Sequence, residues 1–500
     1  MNLTLAEAAM GAGAVLEAPS SIENAGALVA SGYSIDSRTV AAGELFFAVR
    51  GDHLDGHDFV AAAFERGAVA AVVSRARAAS LPDAALAHPL LIAEDPLIAL
   101  QSLAAQVRRQ WGRLVVAITG SAGKTTTKEA VAAALAAKFN VLKSQGNLNN
   151  GFGLPLQLLR LSPEHDIAVV EMGMNHSGEI AALTRIAAPD WGVITNVGTA
   201  HIENFKEGQA GIARAKFELI AALPTNGVAF LNCDDAYAAQ FGRDFQGRVV
   251  YFGGGPCADP QILSVVEDPG GLHIGYRARE RGDSTDTGAP SERPFARRGG
   301  DGSSSEGCNR EGEFVLHMLG AHNASNAIAG LAVALEAGVD LEAAVHAVAS
   351  LTAGDKRGQI IEIAGATILN DSYNSNPEAL RSMIHTLAAQ PAKGRRILVA
   401  GEMLEMGEHG PALHIACGRA AAEAGLDLVV AVQGNAEHLA TAACAGGVPA
   451  VFLRDAETAG QWLAQNLRAG DVVLVKGSRG VHLERAIEAA QRHFAPSEAQ

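Results

Sequence analysis

The segment AITGSAGKTTTKEA, from Ala117 to Ala130, is the densest cluster of residues in the chain that could do chemistry. An apolar run ends in glycine, and Lys-Thr-Thr opens a helix. Glycines at such a turn let the backbone wrap a phosphate, and the free amides of the helix start point partial positive charge at it. Gly120, Ser121, Ala122 and Gly123 would form the cradle for ATP, with Lys124 neutralising charge that develops on the phosphates. Thr125 and Thr126 follow, and the Thr125 hydroxyl can hold Mg2+. The spacing is tighter than in the usual phosphate loop. Only Ser121 and Ala122 separate Gly120 from Gly123, and Ile118 stands where an outer glycine would fall. A strand-to-helix turn without a ligand is the plainer reading, but the coincidence of Gly, Lys and two Thr in this context argues against it.

Further along, IAVVEMG carries Glu171 to the end of another apolar run. Parallel sheets bind ligands at the carboxyl ends of their strands, where a carboxylate can complete a Mg2+ sphere directly or through water. Alone, such an acid is as readily structural; beside a phosphate loop it becomes a metal ligand candidate. His201 follows WGVITNVG and is open between a satisfied core residue and a ligand. Lys216, in GIARAKFELIAAL, reads first as an ordinary solvated helix lysine. His414 and Lys476 stand open between structural and substrate roles.

These groups need a scaffold, and the apolar rhythm supplies one. LVVAITG, DIAVVEMG and WGVITNVG are near-continuous apolar runs separated by helical stretches, as strands buried on both faces of a parallel sheet require. The fold class expected is α/β in three domains. Residues 1–111 hold short strands (ELFFAV, AVAAVVS, PLLIAE), one helix near Phe59 to Ala68, and a linker helix opening at Asp95-Pro96 with Leu97, Leu100, Ala104, Val107 and Trp111 along one stripe. Residues 112–353 form the central parallel-sheet domain. Residues 354–500, with ILVAGEM, LDLVVAVQG, AVFLRD and DVVLVKG, form a separate doubly wound domain. Arg277 to Gly312 contains one large apolar residue, Phe295, and is expected to be a disordered surface loop.

Composition bounds the partners. At 500 residues the chain is too long for one core, and its hydrophobic fraction of 48% excludes global disorder. A net charge of -15 opposes non-specific nucleic-acid or anionic-lipid binding, so neither a nucleic-acid partner nor membrane insertion is expected. The 5 cysteines are scattered, which argues against a zinc site or a disulfide framework and suits a cytoplasmic protein. The domain layout asks for no more than a monomer.

GSAGKTT, NLNNGFGLP, VVEMGMNHSGEI, ITNVGTAHIENF, ARAKFEL, GAHNASNAIAG, LNDSYNSNPEAL, GEMLEMGEHGPALH and VLVKGSRG resemble, in order and over nearly the whole chain, the Mur ligase family of peptidoglycan synthesis. The short phosphate loop is that family's own form. The resemblance implies an N-terminal domain for the UDP-sugar, a central ATPase domain and a C-terminal Rossmann-like domain closing over the nucleotide. It places Ser37, Arg38 and Thr39 on the uridine diphosphate end, and Asn149 and Asn150 on the muramoyl peptide side. Lys124 would meet the ATP phosphates, with Thr125 and Glu171 on one Mg2+ and His201 on a second. Lys216 would match a lysine that is often carbamylated into a metal ligand. Asn323 and Asn326 would approach adenine, and Arg357 and Asp371 would reach the nucleotide from the closing domain.

The N-terminal SIDSRTVAAGELFFAVRGDHLDGHDFV and the later DSYNSNP look most like the branch that uses UDP-N-acetylmuramoyl-tripeptide as the acid and D-alanyl-D-alanine as the amine. The Asp-Asn-Pro-Arg sequence usual in the tripeptide-forming branch is absent. The implied activity is ATP-dependent peptide ligation through an acyl phosphate, which needs cations and a dry site more than a nucleophilic side chain. A tripeptide-forming Mur ligase or a folylpolyglutamate synthetase is the alternative within the superfamily; outside it stand a phosphate-loop kinase and a non-catalytic homologue.

Overall fold

The computed structural model of the protein describes residues 1–268, 270–279 and 309–495. Its centre is a six-stranded parallel sheet in the order Arg248–Phe252, Val228–Asn232, Trp191–Ile194, Leu114–Thr119, Ile167–Glu171, Val141–Lys143. Every residue of Leu114–Thr119 is buried. Val115 and Ala117 enter one apolar cluster while Leu114, Val116 and Ile118 enter another, which is why the run is apolar throughout. From this strand the chain builds outward on one side through Val141–Lys143 and Ile167–Glu171, then crosses back to Trp191–Ile194 on the other. The loops diverge at the carboxyl ends of these strands and leave a crevice there. The helices Lys124–Ala136 and His322–Glu336 cover one face, pressed so close that a Cβ on Gly330 would lie 2.8 Å from the Ala130 carbonyl.

A second six-stranded sheet holds Gln359–Ile363, Ala366–Asp371, Val472–Lys476, Arg396–Gly401, Leu428–Val432 and Ala450–Leu453, all parallel except the first hairpin. The N-terminal sheet orders Val15–Glu17, Leu90–Ala93, Ala70–Ser74, Glu44–Phe47 and Gly32–Ser34. The fold is therefore α/β with three sheet-centred domains. Among the described residues no helix is long and apolar enough to cross a membrane.

The expected linker helix is present as Pro96–Trp111, capped by Asp95 through the amides of Leu97 and Ile98, with Leu100, Ala104, Val107 and Trp111 buried along its stripe. It packs between the N-terminal helix Leu5–Ala12 and the central-domain helices Gly153–Leu158 and Glu179–Ala187. Its Arg108, itself buried, donates to the carbonyls of Ala187 (2.8 Å) and Ala188 (2.9 Å) and to Asp190 Oδ2 (2.8 Å). Arg108→Met should cost about 1 to 3 kcal/mol, chiefly by stranding the Ala187 and Ala188 carbonyls, since the Asp190 side chain is 41% exposed and keeps the Val115 amide. Denaturant unfolding would read the loss; an unchanged midpoint would show that these bonds add nothing.

The stretch expected to be loop needs a correction at its ends. Residues 280–308 lie outside the described residues, but the ends of the stretch are strand. Gly271–Arg279 pairs antiparallel with both Gln261–Asp268 and Asn309–Leu316, with Arg279 opposite Asn309. Leu272, Ile274, Tyr276 and Ala278 are buried in alternation against the central domain while Arg277 and Arg279 are exposed. Arg277 and Arg279 are thus the wet face of a half-buried strand, and the rest of the expected loop lies outside the described residues.

Candidate active site

The phosphate loop sits at the carboxyl end of Leu114–Thr119 and is fixed by the strand beside it. Thr195 Oγ1 donates to the Ala122 carbonyl (2.6 Å), and Asn196 Nδ2 reaches the same oxygen (3.1 Å). Asn196 Oδ1 accepts from the Ala122 amide (2.9 Å), and the Asn196 carbonyl accepts from the Ser121 amide (3.1 Å). Thr195 and Asn196 were not read from the sequence; their signal is the polar Thr-Asn pair ending an apolar run. A Cβ on Gly120 would collide with Thr195 Oγ1. Gly123 takes φ +78° immediately before the helix Lys124–Ala136, and a Cβ there would lie 2.5 Å from Asn326 Oδ1. Both glycines are thus required by close approach, and Gly123 by its backbone angle as well.

Lys124 Nζ donates to the Gly120 carbonyl (2.9 Å), which holds the ammonium over the loop. Desolvation pushes its pKa down, Glu171 pulls it back up and Arg357 adds to the lowering. Glu171 is buried, its Oε2 accepting from Thr125 Oγ1 (2.8 Å) and its Oε1 from Asn149 Nδ2 (2.7 Å). The Thr125 hydroxyl and Glu171 carboxylate form a pair of hard oxygen donors of the kind Mg2+ takes. Among the described residues no three His, Cys, Asp or Glu side chains converge as a metal cluster, so a magnesium ion here would draw its other ligands from phosphate and water.

Lys216 is not the solvated lysine its helix suggested: on Gln209–Ala221 it is 3% exposed. Burial pushes its pKa well below the ordinary lysine value, the nearby Lys124 pushes it further, and Asp235 opposes both. Asp235 is itself spent on the amides of Val197, Tyr237 and Ala238. His201 sits in the left-handed backbone region (φ +63°), and its Nδ1 meets the Glu405 carboxylate of the C-terminal domain. That contact holds the Glu405 carboxyl below its usual pKa. Glu405 could not be found from the sequence, because the pairing exists only once two domains meet. The loop carrying it is steadied by His414, which is fully buried, accepts from the Met403 amide (3.0 Å) and bonds the Gly410 carbonyl (2.7 Å), a structural role.

The central and C-terminal domains face each other across a cavity of about 1060 Å³. Ser121 to Thr126, Asn149, Asn150, Glu171, His201, Asn323, Asn326, Arg357 and Asp371 all line it. Ser37, Arg38 and Thr39 do not. They follow the strand Gly32–Ser34 in the N-terminal domain, where Arg38 lies exposed and is paired with Asp36 at 2.7 Å. Lys216 stands behind the lining. Asn326 is a brace: its Oδ1 accepts from Thr127 Oγ1 (3.0 Å) and its Nδ2 donates to Asn323 Oδ1 (2.9 Å). Asn150 Oδ1 is likewise used by the amides of Phe152 and Gly153. On the closing wall Asp371 Oδ2 is paired with buried Lys476 at 2.5 Å, and the Arg357 guanidinium lies 3.9 Å from the Tyr373 ring centroid. Glu378, from the helix Pro377–Ala389, crosses to accept from the Thr199 amide (3.2 Å) and hydroxyl (3.0 Å).

A phosphate loop, an acid at the next strand end and a second α/β domain closing over both define a nucleotide-dependent ligase, and the chain belongs to the Mur ligase family. Residues 118–334 match the Mur ligase middle domain, 356–479 the Mur ligase glutamate ligase domain and 29–144 the Mur ligase family catalytic domain. More particularly, it is 34% identical over 461 residues to UDP-N-acetylmuramoyl-tripeptide--D-alanyl-D-alanine ligase of Escherichia coli, covering 92% of this chain and 93% of that one. The ligase of the same name from Mycobacterium tuberculosis is 33% identical, with 98% of each chain covered. Among solved structures, MurF from Acinetobacter baumannii superposes with a TM-score of 0.81 at 28% identity, covering 98% of this chain and 99% of its own. MurF ligase from Thermotoga maritima in complex with ADP gives 0.73 at 28% identity, covering 93% and 97%.

Proposed function

We propose that the protein joins the amine of D-alanyl-D-alanine to the terminal carboxylate of UDP-N-acetylmuramoyl-tripeptide, with ATP converted to ADP and phosphate. The observation that carries this reading is the phosphate loop with Lys124 and Glu171 facing the C-terminal wall, in a chain alike from end to end to ligases of that name. A free carboxylate resists attack because its charge repels nucleophiles and oxide leaves poorly. Transfer of the γ-phosphoryl group to one carboxylate oxygen makes an acyl phosphate. The amine nitrogen attacks its carbonyl carbon, phosphate leaves with the C–O bonding pair, and the nitrogen gives up its proton. Negative charge gathers in both steps, and Lys124 and Arg357 would meet it.

Magnesium bound through Thr125 and Glu171 would supply a further fixed positive charge on the phosphate oxygens. Burial and the charge of Lys124 lower the pKa of Lys216 and so raise the share of its neutral amine, the form that adds carbon dioxide to become a carbamate; His201 and that carbamate would then serve a second ion. Ser37, Arg38 and Thr39 take the uridine diphosphate end, and Asn149 and Asn150 the muramoyl peptide. Asn323, Asn326 and Asp371 serve the nucleoside. We further propose that the enzyme acts in the cytoplasm, where ATP is supplied, and as a monomer.

The assay is ATP hydrolysis and amide formation with each substrate omitted in turn. Turnover should require both, yielding ADP and the muramoyl pentapeptide. Equal ATP turnover without the dipeptide, or preference for a diamino acid or glutamate as the amine, would overturn the reading.

A further inference from the structure

Six basic side chains line the central cavity: Lys124, His201, His322, Arg357, Lys476 and Arg479. Four have a polar partner in the structure. Lys124 is tied to the phosphate loop, His201 meets Glu405, His322 shares a hydrogen bond with Ser382 Oγ (2.9 Å), and Lys476 is consumed by Asp371 and the Asn374 carbonyl (3.0 Å). Arg357 and Arg479 both rest on Tyr373, and Arg357, whose charge is felt at Lys124, goes with it to the phosphate end. That leaves Arg479. It is exposed to the cleft, and among the described residues no carboxylate pairs with it.

Its position is nevertheless built. The Arg479 guanidinium lies 5.5 Å from the centroid of the Tyr373 ring that also carries Arg357. The preceding Ser478 accepts from the Leu404 amide at 3.0 Å, and the following Gly480 lies so close to Leu404 that a Cβ would stand 2.8 Å from its side chain. The segment is thereby fixed to the loop whose Glu405 reaches His201. A guanidinium resting against an aromatic ring keeps its N–H fork free for a planar anion, and a carboxylate is the best match to that fork.

The anions that enter this cleft are few. The nucleotide phosphates, and the acid-substrate carboxylate that takes the γ-phosphoryl group, fall to Lys124 and Arg357, and the diphosphate of the sugar nucleotide is proposed for the N-terminal loop at Ser37 to Thr39, which does not line the cavity. The amine substrate is a zwitterion whose own carboxylate loses water when the domains close over it. We propose that Arg479, steadied on Tyr373, binds the carboxylate of the amine substrate and so selects an acceptor bearing a free carboxyl terminus. The inference rests on the reading of a dipeptide as the amine.

The test compares D-alanyl-D-alanine with its C-terminal amide as acceptors for the parent enzyme and for Arg479→Met. For the parent, KM for the amide should exceed that for the dipeptide by about 10- to 100-fold, the worth of a charge-assisted hydrogen-bonded pair. In Arg479→Met the dipeptide KM should rise by the same factor and the distinction between the two acceptors should vanish. KM for ATP and for the sugar nucleotide should hold, showing that the fold survives, and Arg479→Lys should recover part of the dipeptide affinity. A parent enzyme that ligates the dipeptide while Arg479→Met leaves its KM unchanged, or still distinguishes acid from amide, overturns the inference alone. A parent enzyme that never ligates the dipeptide removes the functional reading and this inference together.

Discussion

A protein carrying Lys216→Met should lose ligation by about a thousandfold and yet melt a few degrees above the parent. The ammonium of Lys216 is buried, its one opposing charge is already committed to backbone amides, and Lys124 repels it. Replacing an uncompensated buried charge with an apolar chain of similar length is stabilising by about 1 to 4 kcal/mol. The effect has a pH signature. Burial lowers the folded-state pKa below the unfolded lysine value, so over the interval between them the folded protein binds fewer protons. Stability of the parent then rises with pH across that interval and is lost as pH falls through the folded-state value. The melting advantage of Lys216→Met should therefore shrink as carbonate-free buffer is taken from neutral pH toward about 10. Lys216→Ala should recover part of its activity with short carboxylic acids, which occupy the place of a carbamate. Full activity in either variant would remove Lys216 from the reaction.

Lys124→Met should abolish ligation on the same scale, about a thousandfold, with weakened ATP binding and an unchanged melting temperature. Among the described residues its Nζ donates to the Gly120 carbonyl alone, and nearby Glu171 is bonded to Thr125 and Asn149 instead of to it. Lys128, one turn along the same helix, makes the contrast. It is 1% exposed and paired with Glu129 at 3.0 Å, its charge already answered. Calorimetric titration with ATP alongside single-turnover ligation would separate the two losses expected of Lys124→Met. Retained phosphoryl transfer would show that another cation meets the γ-phosphate.

What the sequence made legible follows from how local the physics is. The phosphate loop could be read because glycine spacing, lysine and a helix start all lie within a few residues, and Glu171 because buried parallel strands announce their ends. For Lys216 the helix alone suggested a solvated lysine, and only the family resemblance pointed it to the site. Ile212 four residues before it and Leu219 and Ile220 three and four after are all buried, and that stripe puts Lys216 on the inward face. Glu378 and Glu405 had no local signal at all, since each acts on a loop some 180 to 200 residues away in sequence. Asn326 was expected beside adenine; what the structure shows is a span from Thr127 of the phosphate-loop helix to Asn323.

The ladder that ends with Arg279 opposite Asn309 has a practical consequence. The chain departs from this sheet and rejoins it at one spot, so the cost of lengthening or shortening what lies between grows only with the logarithm of its size. That spot, borne on a sheet that neither lines the cavity nor carries a catalytic group, is where a reporter peptide could be spliced in while the ligase keeps working.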